Sequence, residues 1–533
     1  MVSNEGKIVG QALRLPLESA MGKRGACPTI LFEDEHLLAV NKPSGVNTHK
    51  PDRFAQDGIY EWLCKRGSDF QSRVANEEVA VKNRSYGNLS ILHRLDKDTS
   101  GVMVFGKTPQ ANQSLAQQFE SHRVEKTYAL LAAARPRKEA IRAQSEDAVT
   151  EFKSLRQFGK FFLLEARPIT GKTHQVRRHA QENGFPIVGD TLYGGIAAPR
   201  LMLHAHRLAF GHPSRGEQII IEAPLPKAFG EMDAMFAARE FRELFLGDET
   251  DVFRLVSGSA DGFSDVVVDA YAGRLLVQWQ SEEAAEEWRG KFGEGHEQFI
   301  TKQNRTKPIA IDGGEQAQQQ FLVRENGLNF IASFGEGFST GIFPDQRENR
   351  CRLLSMNLAG KTVLNCFAYT CAFSVAAAKA GATVTSVDLS KSYLEWGKEN
   401  FRANDLNPDA HDFIYGDVFS WLKRFGKRDR KWDVVLLDPP TFSTTKQGKV
   451  FRAAKDYREL AELAMPLVER GGILFCSTNQ RTLAPEKFEK VLRESARSCG
   501  REVATVEFET QPFDFRVAPG EKPYLQTFWM QLL

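Results

Sequence analysis

Residues 361–390, KTVLNCFAYTCAFSVAAAKAGATVTSVDLS, place an apolar strand (Thr362 to Cys366), a helix and a second apolar strand (Thr383 to Val387) in succession. The alternation continues downstream through strands Phe413 to Tyr415, Val434 to Leu437 and Gly472 to Cys476, each followed by a helical stretch. Strands that are apolar throughout, rather than at every second position, imply a parallel sheet covered by helices on both faces. The last two strands, Val503 to Phe508 and Leu525 to Leu532, have only a loop between them and are expected to pair antiparallel. Residues 331–533 therefore read as an α/β, Rossmann-like domain with seven strands.

Open parallel sheets bind ligands at the carboxyl ends of their strands. The first such turn here is Asn365-Cys366-Phe367-Ala368-Tyr369-Thr370, which lacks the GxGxxG of dinucleotide sites, so nicotinamide cofactors are disfavoured. Asp388 closes the second strand, where a carboxylate can accept hydrogen bonds from both hydroxyls of a ribose. Gly416-Asp417 follows the third strand, in position to lie near an adenine. A single strand-terminal aspartate is weak evidence, because a helix N-cap uses the same residue; several at successive strand ends are stronger.

Upstream the pattern differs. Short strands (Ile30 to Phe32, Leu37 to Val40) lead into Asn41-Lys42-Pro43-Ser44-Gly45, and Gly101 to Gly106 is a strand, Pro109 to Glu120 a helix and Thr127 to Ala133 a strand. Another helix opens within Gly171 to Gly184. Strands outnumber helices and mostly lack helical crossovers, which favours an α+β domain over residues 1–230. A shift from basic to acidic composition near Ala223-Pro224-Leu225-Pro226 marks its end. Residues 231–330 then supply a helix, Met232 to Leu246, and a small α+β middle module with strands between Phe253 and Gln280. A chain of 533 residues accommodates these three domains.

No apolar run is long enough to span a bilayer, and Met1 to Pro28 lacks the charged start and apolar segment of a secretory signal, so a soluble, cytoplasmic protein is expected. The seven cysteines (Cys27, Cys64, Cys351, Cys366, Cys371, Cys476 and Cys499) include no CxxC pair. Reduced thiols are expected, with neither a disulfide framework nor a tetrathiolate zinc site, and no metal is called for. Residues 1–230 hold 32 Lys and Arg against 24 Asp and Glu, leaving 38 against 44 for the remainder. The front half is the better polyanion binder, although an excess of this size also describes an ordinary solvated surface.

Two stretches carry chemistry. The first is His93-Arg94-Leu95-Asp96 with Thr99-Ser100-Gly101. A loop aspartate is usually solvated or a cap, but here it belongs to six ordered blocks: Asn41 to Gly45, His93 to Gly101, Arg123 to Tyr128, Thr170 to Arg177, Pro186 to Asp190 and Leu203-His204-Ala205. Across Ile30 to Phe229 the chain resembles the RluA-type pseudouridine synthases. The resemblance implies isomerisation of a uridine: its glycosidic carbon–nitrogen bond breaks, the base turns and rejoins through carbon, without a cofactor, on a nucleotide flipped from its stack. It makes Asp96 the catalytic aspartate, Tyr128 the active-site aromatic, Arg177 the basic partner of the carboxylate, and Arg94 the residue that flips the base or meets a phosphate.

The second stretch is Asp438-Pro439-Pro440-Thr441-Phe442. Together with Gly341 to Arg350, Leu364 to Thr370 and Val387 to Lys391, it resembles the bacterial 23S rRNA methyltransferases of the RlmI and RlmK type. The resemblance implies S-adenosylmethionine as cofactor, held by Arg347, Asn365, Phe367, Tyr369, Thr370, Asp388, Leu389, Asp417, Val418, Asp438 and Pro439. Cys371 stands where a glycine is usual and is expected to tighten the cofactor pocket. Asp438 would shape the base pocket and Phe442 stack on the target.

Methylation at carbon 5 of cytosine needs a thiolate to attack the ring, whereas N7 of guanine is already nucleophilic and needs only alignment. The position at which the cytosine branch carries its cysteine is occupied by Asn479, so the local pattern is closer to the guanine branch, with Asn479 a substrate contact. Cys476 lies in a buried strand, where a cysteine is usually an apolar filler. The chain is thus expected to be a bifunctional enzyme acting on RNA, 23S rRNA by resemblance. The alternatives are 5-methylcytosine or N2-methylguanine as the product, or a ribosome-assembly factor whose two folds only grip RNA.

Overall fold

The C-terminal strands of the computed structural model are β1 (Thr362–Cys366), β2 (Thr383–Asp388), β3 (Asp412–Tyr415), β4 (Trp432–Leu437), β5 (Val468–Thr478), β6 (Val503–Glu509) and β7 (Gln526–Leu532). They lie in the order β3-β2-β1-β4-β5-β7-β6. The first five run parallel, and β7 is antiparallel to both neighbours. Helices α1 (Ala372–Lys379), α2 (Lys391–Arg402), α3 (Val418–Lys427), α4 (Ala453–Ala464) and α5 (Pro485–Ser498) follow β1 to β5 in turn.

The two faces explain the uniformly apolar strands. Val434 and Leu436 of β4 pack with Val363, Val375, Phe401 and Trp529 in one core, whereas Val435 and Leu437 pack with Leu364, Leu422, Leu460 and Phe528 in the other. Each fully buried Val or Leu contributes roughly 1.5–3 kcal/mol, so both faces are strongly specified. The strand order reverses between β1 and β4, and at that point a crevice opens beyond the strand ends.

The structure describes residues 30–65 and 89–533, apart from 159, 231–233, 244, 248, 264, 280, 282, 285, 287, 289–297, 303–310, 313–318, 336–339, 445–449 and 519. Two compact units result, one of residues 1–51 and 57–248, the other of residues 52–56 and 249–533. This differs from the sequence division at residue 230. The helix Ala234–Glu243 packs with the first unit, where the Phe245 ring meets Trp62 edge-on at 5.5 Å and Glu240 Oε1 accepts from the Lys227 amide.

The middle strands, in contrast, do not stand apart from the methyltransferase-like sheet. Val252, Tyr271 and Leu276 share one core with Phe330, Leu353 and Val363. Their five-stranded sheet runs Val252–Ser257, Val266–Tyr271, Arg274–Trp279, Gln298–Lys302, Ile311–Asp312. Asp514 also ties them down, accepting from the Arg254 amide at 3.0 Å while its backbone carbonyl accepts from Ser257 Oγ at 3.1 Å.

The first unit is built on a ten-stranded sheet whose main path runs Ile30–Glu33, Leu37–Lys42, Ser100–Gly106, Leu203–Gly211, Glu125–Ala132, Phe161–Pro168, Ala148–Phe158, Ala140–Ser145. Its strands pair antiparallel except where Ser100–Gly106 meets Leu203–Gly211. Gly101 makes that meeting possible: at φ +119° it sits where a Cβ would fall 2.2 Å from the Ala205 carbonyl oxygen. Among the described residues no helix is long and apolar enough to cross a membrane.

Candidate functional sites

Asp96 lies in the loop entering Ser100–Gly106, and the Asn41 to Gly45 segment holds that loop from beneath. Lys42 is fully buried, and its Nζ donates to the carbonyls of Pro43 (2.9 Å), Val46 (2.7 Å) and Lys97 (3.0 Å). Burial pulls its ammonium down to about 7, opposed by the nearby charges of Asp98 and Asp96. Ser44 Oγ donates to the Asp98 carbonyl (2.7 Å), the Gly45 amide to the Lys97 carbonyl (2.8 Å), and Thr48 Oγ1 to the Leu95 carbonyl (3.0 Å). His93 is an internal acceptor: its Nε2 takes the Val104 amide at 3.0 Å and its ring stacks on Phe119. Burial lowers the imidazole to about 3, which keeps it neutral.

The Asp96 side chain is 31% exposed, enough to meet a nucleotide. Arg177, on the helix Gln175–Glu182, brings Nη1 to 3.8 Å from Asp96 Oδ2. Its stronger partner is Asp190, which accepts from Nε and Nη2 at 2.7 Å each, while the guanidinium lies over the Tyr193 ring at 5.1 Å. His174 Nε2 also stands 3.8 Å from Asp96 Oδ2, and its Nδ1 lies 3.0 Å from the Tyr193 hydroxyl. Tyr128 is half-buried at a slip in register between Thr127 and Tyr128 in the pairing with Leu203–Gly211, the kind of irregularity that re-aims a side chain. Burial, then the charge of Asp96, pushes its phenol up, so it stays protonated. Arg94 is exposed.

Asp96 and Arg177 are thus brought together, and Tyr128 lies close enough to feel the charge of Asp96. The pairing of Arg177 is corrected in one respect, since the two-point partner is Asp190 and Asp96 is a looser second. His174, Asp190 and Tyr193 went unassigned, although the first two lie inside quoted blocks.

At the C-terminal ends of β1, β2 and β4 a cavity of about 400 Å³ opens, within the range of small-molecule sites. The turn after β1 shapes it with three non-glycine residues in the left-handed region: Phe367 (φ 60°), Tyr369 (φ 47°) and Cys371 (φ 63°). Such conformations cost about 1–3 kcal/mol each and persist where neighbours over-determine them. The neighbours are Asp388, whose Oδ2 accepts the Tyr369 amide (2.8 Å), and Gly341, whose carbonyl accepts from Thr370 Oγ1 (2.5 Å).

Of the residues expected at the cofactor, Phe367, Tyr369, Asp388, Leu389, Asp417, Val418, Asp438 and Pro439 line the cavity, as does Asn479. Three do not. Arg347 is buried in a two-point ion pair with Asp514. Asn365 donates inward to Ser374 Oγ at 2.9 Å, and Thr370 is spent on Gly341. Cys371 is also corrected: its buried thiol turns away from the cavity towards Gly397 of α2, where a Cβ would fall 2.5 Å from Sγ. The Phe442 backbone belongs to the short strand Phe442–Thr444, but its side chain lies outside the described residues.

Several wall residues were given no role from the sequence, although Asp345, Gln346 and Arg350 lie inside a quoted stretch. Gln346 Nε2 donates to Asp438 Oδ1 (3.1 Å) and Ser477 Oγ (2.8 Å), and its Oε1 accepts from Asn349 Nδ2 (2.7 Å). Asn349 Oδ1 in turn accepts from Trp529 Nε1 at 3.0 Å, so the amide orientation is fixed. Burial raises Asp438 to about 6, and also raises Asp345 and Asp388, the last against hydrogen bonds from the Tyr369 and Ser390 amides. Asp417 doubles as the N-cap of α3, accepting the Ser420 amide at 2.9 Å. Among the described lining residues none is a cysteine. Cys476 is fully buried, and that burial pushes its thiol well above the ordinary range.

The wall fits S-adenosylmethionine on its own chemistry. Asp388 at the end of β2 offers carboxylate oxygens to ribose hydroxyls, Leu389, Val418 and Phe419 offer apolar surface to a purine, and six acidic residues suit a cationic ligand.

Comparison with known proteins agrees with this geometry. A family model described as RNA pseudouridylate synthase matches residues 36–182, and one described as S-adenosylmethionine-dependent methyltransferase matches residues 284–522. The chain is 34% identical over 310 residues to YwbD of Bacillus subtilis, provisionally named a ribosomal RNA large subunit methyltransferase, covering 55% of this chain and 78% of that protein. It is 31% identical over 354 residues to the ribosomal RNA large subunit methyltransferase of Deinococcus radiodurans, covering 63% and 85%. The solved structure of SMU.776, described as a candidate methyltransferase and complexed with SAH, matches with a TM-score of 0.51 and 28% identity over 61% of this chain and 87% of that one.

Proposed function

The chain belongs to the S-adenosylmethionine-dependent methyltransferase family and carries an RNA pseudouridylate synthase domain ahead of that half, and on this premise we propose that it modifies large ribosomal RNA twice, isomerising a uridine and methylating N7 of a guanine. In the first unit Asp96 acts on the flipped nucleotide, Arg177 and Tyr128 flank it, and exposed Arg94 meets the RNA.

For the second unit, the observation that carries the reading is the absence of a thiol from the described wall, with Cys476 sealed in the sheet. Carbon-5 methylation of a pyrimidine cannot begin without a nucleophile, whereas N7 of guanine attacks by itself once held in line. When bound, S-adenosylmethionine supplies the electrophilic methyl group. The chain's own part is to grip and orient: Asp388 takes ribose hydroxyls, Asp438 is held by Gln346, and Asn479 contacts the base.

A second reading, N2-methylguanine, is favoured by Asp438 itself, since a carboxylate in this wall can accept a proton from an exocyclic amine. Incubating the protein with unmodified large-subunit ribosomal RNA and labelled methyl donor, then separating nucleosides by mass, tests all of this. Pseudouridine and 7-methylguanosine are expected. Asp96→Asn should remove only the first and Asp388→Ala only the second; label in 5-methylcytidine or N2-methylguanosine would overturn the N7 assignment.

A further inference from the structure

Arg177 gives its two short bonds to Asp190 and brings only Nη1, at 3.8 Å, towards Asp96, which leaves the carboxylate room for a second holder. His174 is placed for that task. Its Nε2 lies 3.8 Å from Asp96 Oδ2, the same oxygen that Arg177 approaches. Its other nitrogen lies 3.0 Å from the Tyr193 hydroxyl. When the phenol donates to Nδ1, the ring proton sits on Nε2 and points at the carboxylate.

The backbone was bent to achieve this. His174 has φ 52°, a left-handed conformation that glycine adopts freely and other residues adopt at a cost, immediately before the helix Gln175–Glu182. Gln175 imposes it: the side chain is almost wholly buried, accepts from Thr170 Oγ1 (2.7 Å) and the Lys172 amide (3.0 Å), and donates to the Val149 carbonyl (2.9 Å) and Thr150 Oγ1 (3.0 Å). Four bonds anchor the turn, and the strain falls on the neighbouring residue, whose ring stands 3.8 Å from Asp96.

We infer that His174, with its tautomer set by Tyr193, is a positioning residue that holds Oδ2 of Asp96 and so presents Oδ1 to the nucleotide. This rests on the reading of Asp96 as the reacting carboxylate.

The test uses the full chain and large-subunit ribosomal RNA transcribed in vitro. His174→Gly keeps the left-handed backbone without strain and removes the ring. Its kcat for pseudouridine should fall on the order of 100-fold, the cost of misplacing a reacting group, with KM within about twofold. Added imidazole should restore about tenfold of that loss. His174→Asn, which tolerates the same φ and offers an N–H, should retain more activity than His174→Gly, and Tyr193→Phe should lose about tenfold. Wild-type turnover in His174→Gly, or a loss that imidazole does not touch, overturns the inference. Asp96→Asn, run alongside, separates the two claims: if it stays active, the assignment of Asp96 falls instead.

Discussion

Asp190 is wholly buried, with both carboxylate oxygens 2.7 Å from the Arg177 guanidinium. Removing one partner of such a pair leaves an uncompensated charge, which costs about 3–5 kcal/mol. Asp190→Ala should therefore lower the stability of the first unit by that order and reduce pseudouridine formation with it. Urea unfolding followed by tryptophan fluorescence measures the first effect; a loss under 1 kcal/mol would show that Arg177 finds its support elsewhere.

The buried thiol of Cys476 makes a sharp contrast possible. Cys476→Ala should leave methyl transfer at the wild-type rate and cost only about 1–2 kcal/mol from the lost sulfur. Complete loss of transfer in a folded variant would restore the covalent route.

Cys371 and Gly397 should behave as a coupled pair. A Cβ on Gly397 would fall 2.5 Å from Cys371 Sγ, so Gly397→Ala should destabilise by about 1–3 kcal/mol. In a Cys371→Gly background the thiol is gone and the left-handed φ of 63° suits the new residue, so the same substitution should cost much less. Additive effects in a double-mutant cycle would contradict the contact.

Asp438 makes stability depend on pH in a defined direction. Its pKa is raised by burial from 3.8 to about 6, so the folded state holds the proton more tightly than the unfolded one. The associated stability is fully present below about pH 4 and is lost as pH rises through about 6. Asp438→Asn should therefore melt higher than wild type at pH 7 to 8, with the difference shrinking towards pH 4.5. A difference constant across that series would refute the shift.

How much of this was legible depended on the range of the interaction. The alternation in residues 361–390 announced β1, α1 and β2, and Asp388 could be placed because strand ends in such sheets face a ligand. Arg347 was misplaced because its partner, Asp514, lies 167 residues away, and no local pattern distinguishes a guanidinium facing a ligand from one turned to a buried carboxylate. Gln346 lay inside a quoted stretch but drew no role for a similar reason, its orientation being set by Asn349 and Trp529 on separate elements. The helix Ala234–Glu243 was assigned to the wrong neighbour because composition changes before it, while the Trp62 and Phe245 rings that hold it meet only in three dimensions.

Lys42, sealed beneath the Asp96 loop with three carbonyl partners, bridges two stretches of chain, since Pro43 and Val46 follow it directly while Lys97 belongs to the loop itself. A substitution at this buried ammonium therefore reaches the carboxylate without touching it, by leaving three carbonyls without their shared donor.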